Sequence, residues 1–262
     1  MMKKYLSVIA ACVLVSACST SSTGRQQLTL FSSGELNKMG VSSFEQLKEK
    51  EKINRDKRTN EYVKCISTDI VKQISSTSDI KNWEVVVFES EQVNAFALPG
   101  KKIGVYTGIL KVAETPDQLA AIIGHEVGHV LERHSNERMS SGQLAQIGMQ
   151  VADAALASQN VQYRNAWMAG LGLGVQYGVL MPYGRTHESE ADIVGQKLMA
   201  KAGYNPEAAI QLWRNMAKVS KGAPPEFLST HPSSQTRIKQ LTNNLPNVQG
   251  SYRNANKATC KK

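Results

Sequence analysis

Hydrophobic and polar positions divide this chain into stretches of helical period and of strand period. Glu35 to Asn54 and Thr59 to Ile74 carry charge-rich helical patterns. Trp83 to Phe88 is a β-branched run and Ile103 to Tyr106 another, with Asn94-Ala95-Phe96-Ala97-Leu98-Pro99-Gly100 between them; Pro-Gly marks a turn, so a small antiparallel sheet is expected. A well-marked helix follows. Thr115 can cap it, Pro116 can open it and Gln118 can complete a capping box, while Leu119, Ile122, Ile123, Val127 and Val130 form its apolar face. Gly142 to Met181 is rich in Ala, Gly and Met. Its most apolar part, Ala166 to Met181, is short and interrupted by Gln176, which predicts packed helices or a flap rather than a membrane span. A further helix is expected from about Thr186 to Lys201, stopping at Gly203. Asn205-Pro206 opens the next, and Ser234 to Leu241 a short last one, with a loose end after Leu245. Helices around a small sheet make an α+β class.

The first residues read as a leader. Lys3 and Lys4 precede an apolar run from Leu6 to Val15, too short to span a bilayer, and Val15-Ser16-Ala17-Cys18 closes it. That order marks a secretory signal peptide over residues 1–17. The cysteine after small residues resembles a bacterial lipobox, which implies cleavage before Cys18 and its acylation; a plain signal peptide cut near Ala17 is the alternative. Ser19, where an Asp would imply retention at the inner membrane, points to the outer membrane and a periplasmic face. Ser19 to Gly24 is a Ser/Thr-rich tether within an N-terminal segment 18–34, ahead of one folded domain over 35–245 and a tail over 246–262. With Cys12 lost in the leader and Cys18 acylated, Cys65 and Cys260 remain. In an oxidising compartment they read either as a disulfide tying the tail to an early helix or as two thiols. The net charge of +9 could suggest nucleic acid, but the compartment and the scatter of Lys and Arg argue for a solvated surface near anionic lipid.

The sharpest chemical signal is His125-Glu126-Val127-Gly128-His129. Residues four apart on a helix share a face, so both imidazoles can reach one ion. Zinc accepts neutral imidazole nitrogen and keeps an open position in catalytic sites. Glu126, next to His125, can take a proton from the attacking water without binding the metal. His134 is five residues past His129 and rotated off its face, so it is expected to be structural. The third ligand is expected from Thr186-His187-Glu188-Ser189-Glu190-Ala191-Asp192. Glu188 and Asp192 are four apart. Glu188 is the leading candidate ligand, and Asp192 would accept from the outer nitrogen of a ligand histidine. His187 is a further candidate and Glu190 a lesser one.

Four passages, Gly24-Arg25-Gln26-Gln27-Leu28, Asn94 to Gly100 with Tyr106-Thr107-Gly108, Ile123 to His129, and Glu188 to Asp192, together resemble the zinc metallopeptidase family of the CAAX prenyl proteases and HtpX-type heat-shock proteases, in its periplasmic BepA- and LoiP-like lipoprotein branch. The resemblance implies a gluzincin fold, one zinc ion, Glu188 as third ligand and Asp192 behind a histidine. It also implies that the histidine of His231-Pro232 lies near the zinc, either to stabilise the oxyanion or to cover the open site at rest; Arg237 follows at a spacing that can bring it close. The expected reaction is peptide hydrolysis with Glu126 and His231 as catalytic groups. Asn94, Ala95, Phe96 and Ala97 are expected at a sheet edge beside the metal, where an extended substrate can add as a strand. Expected partners are unfolded or misfolded polypeptides, the membrane through the lipid anchor, and the outer-membrane assembly machinery; nucleic acid is not expected. A chaperone or scaffold with a latent protease, and a zinc amidase acting on peptidoglycan, are the rival readings.

Overall fold

The computed structural model describes residues 18–74, 82–159, 161–176, 180–219, 226–231 and 235–262. The expected leader, residues 1–17, and Pro232 lie outside them. The chain divides into two compact units, one formed by residues up to Ser32 with Glu132–His187, the other by Ser33–Leu131 with Glu188–Lys262. A single domain over 35–245 was the expectation. The division arises because the segment after the His-Glu-x-x-His helix turns back to pack with the N-terminal residues.

The larger unit holds helices α1 (Ser33–Lys50) and α2 (Lys57–Val71), strands β3 (Glu84–Phe88), β4 (Ala95–Leu98) and β5 (Lys102–Tyr106), a short 3-10 turn (Thr107–Lys111) and α3 (Pro116–Leu131). Asp56 caps α2 by accepting from the Thr59 amide at 2.8 Å. Thr115 caps α3, its hydroxyl accepting from the Gln118 amide at 3.2 Å; Gln118 Oε1 reaches back to the Glu114 amide at 2.7 Å, one residue before the position a capping box requires. The sheet order is β3-β5-β4. β4 and β5 are antiparallel across the Pro-Gly turn, where Gly100 has φ of 87°, but β3 runs parallel to β5. The sheet is therefore mixed rather than antiparallel. Residues 89–94 carry the chain past β5 to its far side, and a period-two pattern identifies strands without naming their neighbours.

Ile66, Ile70, Val87, Val105, Ile109, Leu119, Ile122 and Ile123 are fully buried and form the core between α2, the sheet and α3. Helix α6 (Met181–Lys201) begins five residues earlier than Thr186. From Glu188 onward it belongs to this unit. It crosses α3 at glycines: a Cβ on Gly195 would lie 2.6 Å from the His125 amide nitrogen, and one on Gly128 would lie 2.9 Å from the Ala191 carbonyl. Helices α7 (Ala208–Val219), α8 (Glu226–Thr230) and α9 (Gln235–Asn254) complete the unit.

Where a short last helix and a loose tail after Leu245 were expected, α9 runs through Pro246 to Asn254. Leu241 and Val248, seven residues apart, are both buried and hold both halves of the helix down. Cys260 is disulfide-bonded to Cys65 on α2, so the tail ends pinned.

In the smaller unit, β1 (Cys18–Thr20) pairs antiparallel with β2 (Gln26–Leu28), alongside α4 (His134–Ser158), α5 (Arg164–Val175) and the first turns of α6. The expected Ser/Thr tether is thus a strand and a turn. The Arg25 amide donates locally to Ser21 Oγ at 3.1 Å, and the Ser22 amide donates to Glu132 Oε2, 110 residues along the chain, at 2.8 Å. Arg25 holds buried Glu137 with two nitrogens at 2.6 and 2.7 Å, and Gln27 donates to the Glu132 carbonyl at 2.5 Å. The Gly24 to Leu28 passage is therefore a structural clasp on the start of α4.

Candidate metal centre

The His-Glu-x-x-His helix is buried along the whole of Gln118–His129. Its two imidazoles face α6, with His125 Nε2 and His129 Nε2 3.0 Å apart. Glu188 meets both, Oε2 at 3.3 Å from His125 Nε2 and Oε1 at 3.4 Å from His129 Nε2. His231 Nδ1 lies 3.2 Å from His125 Nε2 and 3.0 Å from Glu188 Oε2. One donor atom from each of His125, His129, Glu188 and His231 falls within 4.8 Å of the others. Tetrahedral zinc with bonds of about 2.0–2.1 Å requires donors about 3.3–3.4 Å apart. The observed separations of 3.0 to 3.4 Å match that cage.

The electrostatics fit a cation as well. Glu188, Asp192 and Glu126 bring three buried carboxylates to the cluster against the guanidinium of Arg237. Burial pushes the His125 imidazole down, but Asp192 and Glu188 outweigh it and hold its pKa up at about 9. Burial raises Glu188 too, yet hydrogen bonds with His125 and His231 bring it below the usual carboxylate range. The carboxylates thus favour positive charge where the imidazole nitrogens meet, the place a divalent cation would occupy. Glu126 differs. Burial raises its pKa, with His231 and His125 partly opposing, and Oε1 has no hydrogen-bond partner among the described residues. Its carboxylate accepts the Ala97 amide of β4, and Oε1 lies 3.4 Å from His231 Nε2.

A second tier holds the cage. Asp192 Oδ1 is 3.0 Å from His125 Nδ1. Arg237 grips Asp192 with Nε at 2.6 Å and Nη2 at 2.7 Å, and its Nη1 reaches Glu188 Oε2 at 2.9 Å. The guanidinium stacks on Trp213 at 3.7 Å, and Trp213 stacks on Phe227. The Trp213 and Phe227 contacts leave no trace in local spacing and were not legible in the sequence; Arg237 was only loosely placed there.

The remaining sequence-derived candidates fall as follows. β4 is an edge strand. Asn94 precedes it and accepts from the Tyr106 amide at 3.1 Å, Ala95 and Ala97 face the core, and Phe96 joins the ring cluster of Phe44, Phe88 and Tyr106. His134 and His187 stack on each other at 4.3 Å in the smaller unit, and His187 Nε2 is 2.9 Å from Glu137. Neither belongs to the cluster that could hold an ion. Glu190 is buried and outside that cluster also. Cys18 opens β1.

Residues 57–245 match the model of peptidase family M48. The chain is 35% identical to the mitochondrial metalloendopeptidase OMA1 of Schizosaccharomyces pombe, over 73% of this chain and 54% of that protein. It is 29% identical to the human mitochondrial metalloendopeptidase OMA1, over 86% and 45%. It is 24% identical to the beta-barrel assembly-enhancing protease of Escherichia coli K12, over 80% and 44%. The chain spans about half the length of these relatives. With the two histidines and Glu126 on one buried helix and Glu188 opposite, all inside the matched residues, the chain belongs to peptidase family M48.

Proposed function

We propose that this chain is a zinc-dependent endopeptidase of the bacterial envelope, held as a lipoprotein through acylated Cys18 on the periplasmic face of the outer membrane. The observation that carries the hydrolytic reading is the meeting of His125, His129 and Glu188 with the buried carboxylate of Glu126 alongside. Zinc held by these residues would polarise the scissile carbonyl and lower the pKa of a nearby water. Glu126 takes the water proton and passes it to the leaving amine; burial raises its pKa, which makes its carboxylate a stronger proton acceptor than an exposed one. Asp192, held by Arg237, keeps His125 in one orientation and tautomer. An extended substrate adds beside β4, through backbone bonds that ask little of its sequence, which suits unfolded chains. Misfolded or stalled outer-membrane proteins are the substrates this supports, in keeping with the name of the Escherichia coli relative.

The test is metal content and casein hydrolysis of the wild type beside Glu126→Gln. One zinc per chain in both, with hydrolysis in the wild type alone, is the expected result; a metal-free wild type, or equal hydrolysis by both, sinks the assignment.

A latent resting form has its own support. His231 takes the fourth corner of the cage, where a substrate carbonyl must enter. His231→Ala separates its two roles: faster casein hydrolysis marks a cover that must lift, slower hydrolysis a group that stabilises the oxyanion.

A further inference from the structure

The smaller unit carries an apolar surface that the metal centre does not use. Leu144, Ile147 and Val151 form an exposed stripe on α4, and Trp167, Leu171 and Leu173 stand exposed on α5; Val151 is 65% exposed and Trp167 60%. The two helices pack on each other, and an open groove of about 590 Å³ runs beside Trp167 and Leu171. A monomer in water rarely leaves such a surface bare. Among the described residues no helix is long and apolar enough to cross a membrane. Helix α5, with 12 residues, is about 18 Å long against a hydrocarbon core of about 30 Å.

The distribution of charge points to what covers this surface. Between Arg138 and Arg185 the sequence holds two charged residues, Asp153 and Arg164. They neutralise each other: Arg164 Nε donates to Asp153 Oδ1 at 2.6 Å, and Nη2 donates to Oδ2. At the roots of the hairpin the pattern reverses. Arg133, Arg138 and Arg185 are exposed there, next to the stacked His134 and His187 that bring the starts of α4 and α6 together. A neutral apolar tip over a cationic base is complementary to acyl chains beneath anionic headgroups.

We propose that the α4–α5 hairpin lies in the interfacial layer of a bilayer rich in anionic phospholipid, Trp167 and Leu171 inserting shallowly and Arg133, Arg138 and Arg185 contacting headgroups. The inference takes from the proposed function only the presence of a membrane. Vesicle binding and peptide hydrolysis can fail separately.

The full mature chain carrying Cys18→Ser, so that no acyl group contributes, is sedimented with vesicles of phosphatidylethanolamine and phosphatidylglycerol, and with vesicles of phosphatidylcholine alone. Its mass is measured in parallel by ultracentrifugation without lipid. The expected result is binding to the anionic vesicles, weakened about tenfold or more by Trp167→Gln with Leu171→Gln, while casein hydrolysis without vesicles is unchanged. Arg133→Gln, Arg138→Gln and Arg185→Gln together leave the apolar face intact and are expected to abolish the preference for phosphatidylglycerol, which keeps the proposal testable if the first variant misfolds. A parent chain that stays in the supernatant with both vesicles overturns the proposal. So does undiminished binding by a folded Trp167→Gln, Leu171→Gln variant, or an unchanged lipid preference in the arginine variant. A dimer that the Gln pair converts to monomer, without vesicle binding, assigns the surface to a second copy instead.

Discussion

Arg237 and Asp192 form a buried bidentate pair, with nitrogen to oxygen distances of 2.6 and 2.7 Å, and that pair stands directly behind the ligand histidine His125. Burial works against the charge on each, and each outweighs it for the other: Arg237 lies above its ordinary range and Asp192 below. Removing one partner strands the other's charge. Arg237→Met is therefore expected to lower zinc affinity about 10–100-fold. Competition with a chromogenic chelator measures this without reference to activity. Arg237→Lys, which keeps the charge but loses the fork and the flat stack on Trp213, is expected to recover only part of the loss.

The crossing of α3 and α6 is set by missing side chains. A methyl on Gly195 would press on the backbone nitrogen of His125 at 2.6 Å, and backbone cannot swing aside. Gly195→Ala is expected to cost about 1–3 kcal/mol and to separate Glu188 from the imidazoles. Urea denaturation reads the first effect, and the chelator competition reads the second. An alanine variant with unchanged stability and zinc affinity would show that the helices have room to part.

The Cys65–Cys260 bridge closes a loop between residues 195 apart in sequence. Replacing both cysteines with serine is expected to lower stability by about 2–4 kcal/mol, chiefly by freeing the unfolded chain. The same loss should follow reduction of the wild type, and reduction should leave the serine variant unmoved; urea midpoints with and without dithiothreitol make the comparison.

Glu137 supplies a pH dependence to the smaller unit. Burial would raise its pKa, but His187 and Arg25 outweigh that and hold it at about 2, against an ordinary 4.5. A carboxylate depressed in the folded state stabilises fully above the unfolded value, and that stability disappears as pH falls from about 4.5 toward about 2. The shift corresponds to about 3 kcal/mol. The stability difference between wild type and Glu137→Gln, followed by urea denaturation, is therefore expected to be large near neutrality and to shrink through that acid window.

Local spacing carried a good part of this protein. A histidine pair four residues apart, a capped amphipathic helix and a second carboxylate pair at the same interval are all statements about one helix at a time. The 3.6-residue period determines those faces whatever surrounds them. Thr115 capping α3 and Gly203, with φ of 85° past the end of α6, obey the same local rules. That Glu188 rather than His187 faces the imidazoles was narrowed by spacing and resemblance together, because consecutive residues point about 100° apart.

What spacing could not carry is which faces meet. β3 pairs parallel with β5 because the chain crosses over, and α9 passes Pro246 because Leu241 and Val248 bury on one side of it. Ser19 to Gly24 becomes a strand and turn because Glu132 and Arg25 bind its polar groups. The joining of His231, Arg237 and Trp213 to the cage rests on contacts between separate helices and loops. The sequence by itself determined which residues share a helix face and which chemistry they offer. Only the tertiary structure decided their partners, since burial energy is summed over all surfaces at once and no local period records which of them will touch.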